Sequence, residues 1–381
     1  MPRRSSSLQN NLRQTRHRAD LTQSELAAKA GISRQAYSSL EAGNTTPSTE
    51  VAIRLAQTLR ERVESLFYLP DQPSVAVEAE LVSGVSPASS PNQRARLFRV
   101  GPKLLARPLA GSDNTRHSVV AAEGLILSPA DSSGDNKAVT VQPFDTEELD
   151  SPTLAILGCD PAVGLLETGL QAKGVSLVAG EESSRQALVG LTRGEAHVAG
   201  CHLFDNITGV YNSSWVQRLV PFPCTLITFA SWQQGLILAS GNPKQVNSLS
   251  DLTKPGIRLV NRQMGSGSRD LLDRVLLKAN VPIEKIEGYE REEWGHLAVA
   301  AAVASRSADV GIGVKAAAVA MGLDFLPLEE ERYDLVIPNH FLDDSPVQIL
   351  LDLLRQPVLH RRIESLGGYD ASDMGIQQSS N

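Results

Sequence analysis

One short segment of the chain has the composition of an anion-binding loop. It reads GSGSR, stands directly before an amphipathic stretch, and comprises Gly265, Ser266, Gly267, Ser268 and Arg269. The glycines would let the backbone approach a ligand closely, and the first N–H groups of the following helix would lack partners. The serine hydroxyls and the guanidinium fork add donors that suit a tetrahedral oxyanion. The alternative is an ordinary helix cap at Ser268, with the glycines serving a tight turn.

Further candidates for ligand contact follow predicted strands or begin predicted helices. They are Cys159, Asp160, Ser183, Cys201, His202 and His296. Helix capping is the competing interpretation for Asp160 and Ser183. A carboxylate at Asp160 would also repel an anion unless it is turned away. His296 is either a donor to the ligand or a solvated residue in the first turn of its helix.

The spacing of His197, Cys201 and His202, HxxxCH, invites interpretation as a metal site. Alternation along a strand places residues 197 and 201 on one face and residue 202 on the other, so the three side chains cannot converge. We therefore expect no metal ligands. The sequence also contains neither HExxH nor GxSxG, so we expect no catalytic residues, no enzyme activity and no cofactor.

A second set of candidate residues lies near the N-terminus, within TQSELAAKAGISRQAYSSLE at residues 22–41. Thr22 and Glu25 fit a capping box, and Gly31 permits the left-handed turn that ends a helix. In the next helix arginine can bond guanine and glutamine can bond adenine, while polar groups nearby can contact phosphates. The predicted DNA contacts are Gln23, Ser33, Arg34, Gln35, Ser38 and Asn44. The alternative is a small helical bundle with ordinary polar faces.

Charge is distributed unevenly along the chain. The formal net charge is −7, yet residues 1–70 carry 10 Lys and Arg against 6 Asp and Glu, which makes that segment +4 and the remainder −11. A basic head on an acidic body indicates a nucleic-acid-binding module joined to something else. No apolar run reaches the roughly 18 residues that a membrane span needs. The three cysteines form no CxxC pair, so we expect a cytoplasmic protein with no membrane partner.

Composition divides the chain into four parts. Residues 1–70 form the helical head, residues 71–93 are rich in Pro, Ser and Gly and are expected to be a linker, and residues 94–148 hold strand-like runs typical of a small β-rich module. In residues 149–381 strand-like runs alternate with amphipathic stretches, which indicates α/β structure. The expected fold class is therefore multidomain, with an all-α head, a small β-rich linker module and a two-lobed α/β body.

The α/β body shows nearly the same order of elements twice. The first half runs strand, helix, strand, helix, strand, and the second half has a connection, IEGYEREEW, in place of the middle strand. Two such lobes joined by crossing segments make a clamshell, in which ligands bind beyond the carboxyl ends of the strands. The expected bounds are 149–228 and 335–370 for lobe one, 240–325 for lobe two, and 225–240 and 325–338 for the crossing segments.

The head resembles a known family. The string LTQSELAAKAGISRQAYSSLEAGNTTPSTEVAIRLAQTL, residues 21–59, is similar to the lambda-repressor-like (Cro/C1, or XRE) helix-turn-helix family. Tyr37 stands where family members usually carry Ile or Val. The resemblance implies double-stranded operator DNA as partner, reading of the major groove, and a homodimer on a palindrome.

The body resembles a second family. The strings GCDPAVGLL, GEAHVAGCHLFD, LVNRQMGSGSRDLLD and ERYDLVIP are similar to the PBP-like domain related to molybdate- and tungstate-binding proteins. This resemblance implies the type II periplasmic-binding-protein fold, with a small oxyanion such as molybdate or tungstate as ligand. It also implies that Asn212, from the YN of the family pattern, reaches the cleft. Related oxyanion binders have small hydroxyl residues where this chain has Cys159 and Asp160.

These parts together predict a ligand-responsive, one-component transcription regulator. The head would read an operator, and the clamshell would bind a small ligand and close. One alternative is a protein of molybdenum-cofactor metabolism that binds or delivers a ligand with the same body. Another is a ligand-less or redox-responsive regulator, in which the body is a dimerisation platform and Cys159 or Cys201 is the responsive thiol.

Overall fold

The computed structural model describes residues 8–69, 76–83, 92–109, 121–127, 138–146 and 148–378. The chain divides into two units, Met1–Ser74 and Val75–Asn381. Each unit has hydrophobic clusters of its own. No helix within the described ranges is long and apolar enough to cross a membrane.

The described part of the first unit is helical apart from one two-stranded antiparallel ladder. Its helices are α1 (Leu12–Arg18), α2 (Gln23–Lys29), α3 (Arg34–Glu41), α4 (Thr49–Leu59) and α5 (Val63–Leu66), and its strands are β1 (Gln9–Asn10) and β2 (Phe67–Tyr68). Local sequence sets the helix starts, because Thr22 and Glu25 form a capping box and Ser33 and Ser48 accept hydrogen bonds from backbone N–H groups. Tyr37 is fully buried in the core between the helices.

The second unit begins with a small closed barrel. Its strands are β3 (Val77–Leu81), β4 (Gln93–Val100), β5 (Lys103–Pro108), β6 (Gly124–Ile126) and β7 (Ala138–Pro143), paired in the order β3-β5-β4-β6-β7. Strand β3 lies within residues 71–93, where the sequence predicts a linker, and that prediction is wrong for Val77–Leu81. Ala79 and Leu81 are buried while Glu78 and Glu80 are exposed. This alternation is typical of a strand, and the Pro and Ser content around it obscures it.

Two similar halves follow the barrel, and we call them lobe one and lobe two. Lobe one contains β8 (Thr153–Gly158), α6 (Glu167–Gln171), β9 (Ser176–Glu181), α7 (Ser184–Thr192) and β10 (Val198–Cys201); lobe two contains β12 (Leu259–Arg262), α9 (Gly267–Lys278), β13 (Glu292–Glu293), α10 (His296–Ala304) and β14 (Val310–Val314). In both lobes the first strand lies between the other two, and all three are parallel. The short strand β13 occupies the position where the sequence predicts only a connection.

Two long antiparallel strands, β11 (Cys224–Leu238) and β15 (Asp324–Pro338), join the lobes. They lie at the centre of one sheet with the order β13-β12-β14-β11-β15-β10-β8-β9. The described elements that complete the chain are α8 (Ser213–Leu219), α11 (Lys315–Ala320), α12 (Ser345–Leu354), α13 (Pro357–Glu364), β16 (Tyr369–Asp370) and β17 (Gln377–Gln378). The carboxyl ends of the parallel strands in both lobes therefore face the region where the two long strands cross between them.

Candidate functional site

The second helix of the predicted helix-turn-helix presents polar residues to solvent. Helix α3 begins after Ser33, whose hydroxyl caps it by accepting from the Ala36 N–H at 3.1 Å. Arg34 and Gln35 in its first turn are exposed, as is Asn44 in the following loop, and Ser38 is partly exposed. These side chains are available to a partner, whereas Tyr37 and Leu40 on the opposite face are buried.

The side chain of Gln23 makes a hydrogen bond within the protein that the sequence does not predict. Its side-chain amide nitrogen donates to Glu41, which also accepts from Arg16 Nε at 2.9 Å and from the Tyr37 hydroxyl at 3.4 Å. The Glu41 carboxylate thus ties α1, α2 and α3 together. The side-chain amide of Gln23 thus has one partner within the protein, and this bond restricts the orientation in which the amide could contact a phosphate.

The loops at the carboxyl ends of the lobe strands bring polar residues together from distant parts of the sequence. Cys159 follows β8, His202 follows β10, Arg262 ends β12, and His296 begins α10. Strands β11 and β15 add Trp232 and Glu331. All six side chains are buried, with exposed fractions of 3% or less. Cys159, His202, Trp232, His296 and Glu331 are called the cleft cluster below.

Hydrogen bonds fix the central imidazole of the cleft cluster. His202 Nε2 lies 3.4 Å from Cys159 Sγ, and His202 Nδ1 lies 2.8 Å from Glu331 Oε2. The Trp232 indole N–H donates to the same Glu331 oxygen at 3.3 Å. Burial alone would lower the pKa of His202, but the neighbouring Cys159 and Glu331 outweigh it and raise that pKa to about 10.

His296 completes the cluster from lobe two. Its ring centroid lies 6.2 Å from that of His202 and 5.5 Å from that of Trp232. Burial, together with the positive charges of Arg262 and His202, lowers the pKa of His296 well below its usual value. Donor atoms of Cys159, His202 and His296 all lie within 4.8 Å of one another, close enough to share one metal ion.

Several buried polar atoms at this place have no hydrogen-bond partner among the described residues. They are Nη1 and Nη2 of Arg262, both ring nitrogens of His296, and Oε1 of Gln234. Arg262 Nε donates to Gln263 Oε1 at 2.9 Å, which leaves the end of the guanidinium unpartnered. Buried unpaired polar groups cost free energy, so they indicate a place where a ligand completes the bonding.

The GSGSR loop opens helix α9 as predicted, but its side chains are used differently. Ser266 caps the helix, and the Ser268 hydroxyl accepts from Gln234 Nε2 at 2.9 Å. Arg269 forms ion pairs with Asp273 and Glu292 at 3.2 and 3.4 Å. Its guanidinium also stacks on Tyr289. Acidic neighbours on its own lobe thus already hold the Arg269 guanidinium, and its role as the charged fork stays a prediction.

The structure places four other predicted ligand residues in structural roles. Asp160 caps the short 3-10 helix Pro161–Leu166 and accepts from the Tyr369 hydroxyl at 2.5 Å. Burial raises the Asp160 pKa to about 6. Ser183 caps α7, and it also lines a cavity of about 320 Å³ between the barrel and the lobes. Cys201 packs in the hydrophobic cluster of lobe one.

Asn212 is the fourth of these residues, and its side chain is fully engaged. Its Oδ1 accepts from the Leu203 N–H and its Nδ2 donates to Asp334 Oδ2, both at 2.7 Å. These bonds fix the loop that follows His202. Asn212 therefore holds the position of a cleft residue and does not itself point a free donor into the cleft.

Close contacts join the two lobes beside the cleft cluster. A Cβ atom added to Gly267 would lie 2.5 Å from the His202 ring and 2.7 Å from its carbonyl oxygen, so only glycine fits there without a shift. Arg185 of α7 pairs with Asp270 of α9 at 2.7 Å. The lobes are thus in direct contact, and the polar residues between them are enclosed.

Arg262, Trp232, Gln234 and Glu331 are the site residues that sequence reasoning missed. Arg262 had a usable signal, because it is a charged residue at the end of an apolar predicted strand, directly before the GSGSR loop. The other three lie on the long crossing strands. Their place in the cleft follows from the register of β11 with β15, in which Trp232 pairs with Glu331.

Comparison with known proteins agrees with this architecture. Residues 12–66 match the Helix-turn-helix family model, and residues 167–355 match the model described as PBP superfamily domain. YvgK of Bacillus subtilis (strain 168) is 31% identical over 226 residues, which cover 59% of this chain and 73% of YvgK. An HTH-type transcriptional regulator of Methanothermobacter thermautotrophicus is 41% identical over 61 residues, 16% of this chain and 88% of the relative.

Among solved structures, the sulfate-binding protein SubI from Mycobacterium tuberculosis H37Rv is 14% identical, with a TM-score of 0.44, covering 57% of this chain and 86% of that one. The predicted fold class, a helix-turn-helix head followed by a PBP-like α/β domain, is confirmed by the family models. The chain belongs to the same family as YvgK, and it carries a helix-turn-helix domain followed by a PBP superfamily domain.

Proposed function

We propose that this protein is a one-component transcription regulator that responds to a small anion. The helix-turn-helix would read operator DNA through α3, where Arg34 and Gln35 are exposed. The two lobes would close on the ligand and thereby change the affinity for DNA. A ligand can do this only to the extent that it binds the two states of the protein with different affinities.

The observation that carries the choice of ligand is the unpartnered end of the Arg262 guanidinium. This side chain is fully buried, and its Nη1 and Nη2 find no acceptor among the described residues. An isolated buried cation is costly, and a planar fork of N–H donors matches an oxyanion in both charge and geometry. A small tetrahedral oxyanion of the molybdate, tungstate, sulfate or phosphate kind is the ligand class that we propose.

The test compares two arginines near the two ends of the same loop. Full-length protein is heated with and without molybdate, tungstate, sulfate or phosphate, and the shift in melting temperature is recorded. At a ligand concentration 100 times Kd, binding should stabilise the wild type by about 2.7 kcal/mol. We expect R262Q to lose this stabilisation and R269Q to keep it, because Arg269 is paired within lobe two.

Two results would contradict the proposal. If none of the four anions stabilises the wild type, the ligand is not an oxyanion of this kind. If R269Q loses the response while R262Q keeps it, the anion binds at the start of α9, as the sequence alone suggests. Melting curves without ligand show whether either variant is folded.

The proposed function also includes a binding partner and an oligomeric state. A helix-turn-helix of this type commonly binds a palindrome as a dimer, with one recognition helix in each of two successive major grooves. We propose a homodimer on double-stranded operator DNA. Binding to operator DNA would require the protein to act in the cytoplasm.

A further inference from the structure

Three side chains of the cleft cluster form a donor set whose chemistry differs from that of the anion site. A thiol from Cys159, an imidazole from His202 and an imidazole from His296 each offer one donor atom, and these atoms lie within 4.8 Å of one another. The residues come from loops after two different strands and from a helix start in the other lobe. Tertiary folding alone brings them together.

We propose that these three residues bind a thiophilic transition-metal ion of the zinc or copper kind. Sulfur with two imidazole nitrogens is a ligand set that such ions prefer, whereas magnesium and calcium require oxygen ligands. Three protein ligands leave one coordination position open to solvent or to an exogenous ligand. The ligand atoms are Cys159 Sγ, His202 Nε2 and one ring nitrogen of His296.

The hydrogen bonds of His202 match those of a metal-binding histidine. Such a histidine usually donates its other ring N–H to a carboxylate, which fixes the tautomer and the ring orientation. Here Glu331 Oε2 lies 2.8 Å from His202 Nδ1, and Nε2 faces the Cys159 sulfur. Trp232 donates to the same carboxylate oxygen and holds it in place.

His296 provides an independent argument. It is 1% exposed, and neither ring nitrogen has a hydrogen-bond partner among the described residues. A buried histidine that serves only packing normally finds a partner, as His197 does by accepting from the Ala155 N–H at 3.0 Å. A metal bond to His296 would satisfy one of its two unpartnered ring nitrogens and so remove part of this cost.

The position of the set gives the metal a consequence for the conformation of the protein. Cys159 and His202 belong to lobe one, and His296 belongs to lobe two. An ion bound to all three would stabilise the closed arrangement of the lobes over any arrangement that separates them. This inference goes beyond the proposed function and does not require it, because Arg262 and the DNA-binding head take no part in coordination.

The experiment measures metal binding by the full-length protein directly. Protein freed of metal with a chelator is titrated with Zn²⁺ in competition with a chromophoric chelator, and separately with Co²⁺ as an optical probe. We expect one Zn²⁺ per chain, and a Co²⁺ spectrum that contains a thiolate charge-transfer band. The variants C159S and H296Q should lose tight binding, and E331Q should weaken it by about 10- to 100-fold.

Neighbouring residues of the same type provide the matched controls. Cys201 and His197 are also buried in lobe one but lie outside the donor set, so C201S and H197N should bind Zn²⁺ as the wild type does. The inference is overturned if the wild type binds no Zn²⁺, if its Co²⁺ complex lacks the thiolate band, or if C159S and H296Q bind like the controls. The Co²⁺ spectrum of the wild type tests the inference even if a variant fails to fold.

Discussion

Three buried histidines of the second unit differ in pKa and in hydrogen bonding because their surroundings differ. His202 is held between a sulfur and a carboxylate, and its pKa is raised to about 10. His296 has no hydrogen-bond partner among the described residues, and burial lowers its pKa. His197 packs its ring against Phe341 and accepts one backbone hydrogen bond, and burial lowers its pKa to about 4. Their roles follow from these partners.

His197 should make the second unit less stable in acid. In the unfolded chain this histidine takes up a proton below its ordinary pKa of 6.5, but in the folded protein it stays neutral until about pH 4. The unfolded state therefore gains protons between these values, and the free energy of unfolding should fall by about 3 kcal/mol as the pH drops from 6.5 to 4. The variant H197N keeps an acceptor for the Ala155 N–H and should lack this part of the pH dependence.

Tryptophan fluorescence during denaturant unfolding can measure this effect. The three tryptophans, Trp215, Trp232 and Trp294, all belong to the second unit, so the signal reports that unit. The wild type and H197N share every other titrating group, so the difference between their pH profiles reports His197. Parallel pH profiles for the wild type and H197N would contradict the prediction.

At the scale of secondary structure, the first residues of helix α9 form a close contact between the two lobes. The cap residue, Ser266, bonds within its own segment, whereas the first residue of the helix, Gly267, lies against His202 of lobe one. One turn further along, Asp270 pairs with Arg185 of α7. Both members of that pair are more than a third exposed, so the pair itself contributes little to stability. The steric fit at Gly267 matters more.

The variant G267A should destabilise the second unit by about 1–3 kcal/mol. The added methyl group would come within 3 Å of both the ring and the backbone of His202, and backbone cannot move aside cheaply. Alanine favours helix more than glycine does, so any loss must come from this contact. The free energy of unfolding from tryptophan fluorescence checks the expectation.

Gly164 offers the matched control, since a Cβ atom added there meets nothing within 4 Å. G164A should be as stable as the wild type or slightly more stable. If G267A and G164A unfold at the same denaturant concentration, the contact between α9 and His202 is not tight in solution.

For the whole molecule, the division of charge sets how strongly the protein binds DNA. The segment 1–70 carries +4 and the rest of the chain −11. A head with so little excess positive charge gains only modest affinity from phosphates, because that affinity grows with the number of phosphate charges neutralised. Specific binding should therefore depend on two heads that engage two half-sites at once.

Half-site spacing tests this dependence. In a palindromic operator the half-site centres should lie about one helical turn apart, roughly 34 Å, or at a multiple of that distance. Inserting about 5 bp, half of the ~10.5 bp turn, at the centre of the palindrome turns one half-site to the opposite side of the duplex. We expect the affinity in a gel-shift titration to fall by at least about 100-fold, toward non-specific binding.

An insertion of the same length outside the palindrome is the control and should leave the affinity unchanged. Equal affinities for the original and the centrally interrupted operator would show that each head binds alone. The proposed homodimer would then have no part in recognition.

Local sequence determined the elements and their order. Caps at Thr22 and Ser33 depend on a side chain and a backbone N–H only three residues away, so the sequence alone reveals them. At α9 the sequence suggested a cap at Ser268, whereas Ser266 caps the helix. The repeated alternation of strands and helices predicted two similar lobes, and the helix-turn-helix string predicted the head, because hydrophobic periodicity follows directly from residue order. The sequence did not predict strand β3, because its short alternation of apolar and polar residues lies beside a segment rich in Pro and Ser.

The tertiary structure decided which side chains face one another across the cleft. The end of the Arg262 guanidinium is unpartnered, whereas Arg269, in the first turn of α9, is paired with acids, and the local sequence does not show which of the two arginines the acids reach. Cys159, His202 and His296 are far apart in the sequence, yet their donor atoms meet. Sheet order and strand register set these contacts, and both depend on long-range packing that residue spacing along the chain does not encode.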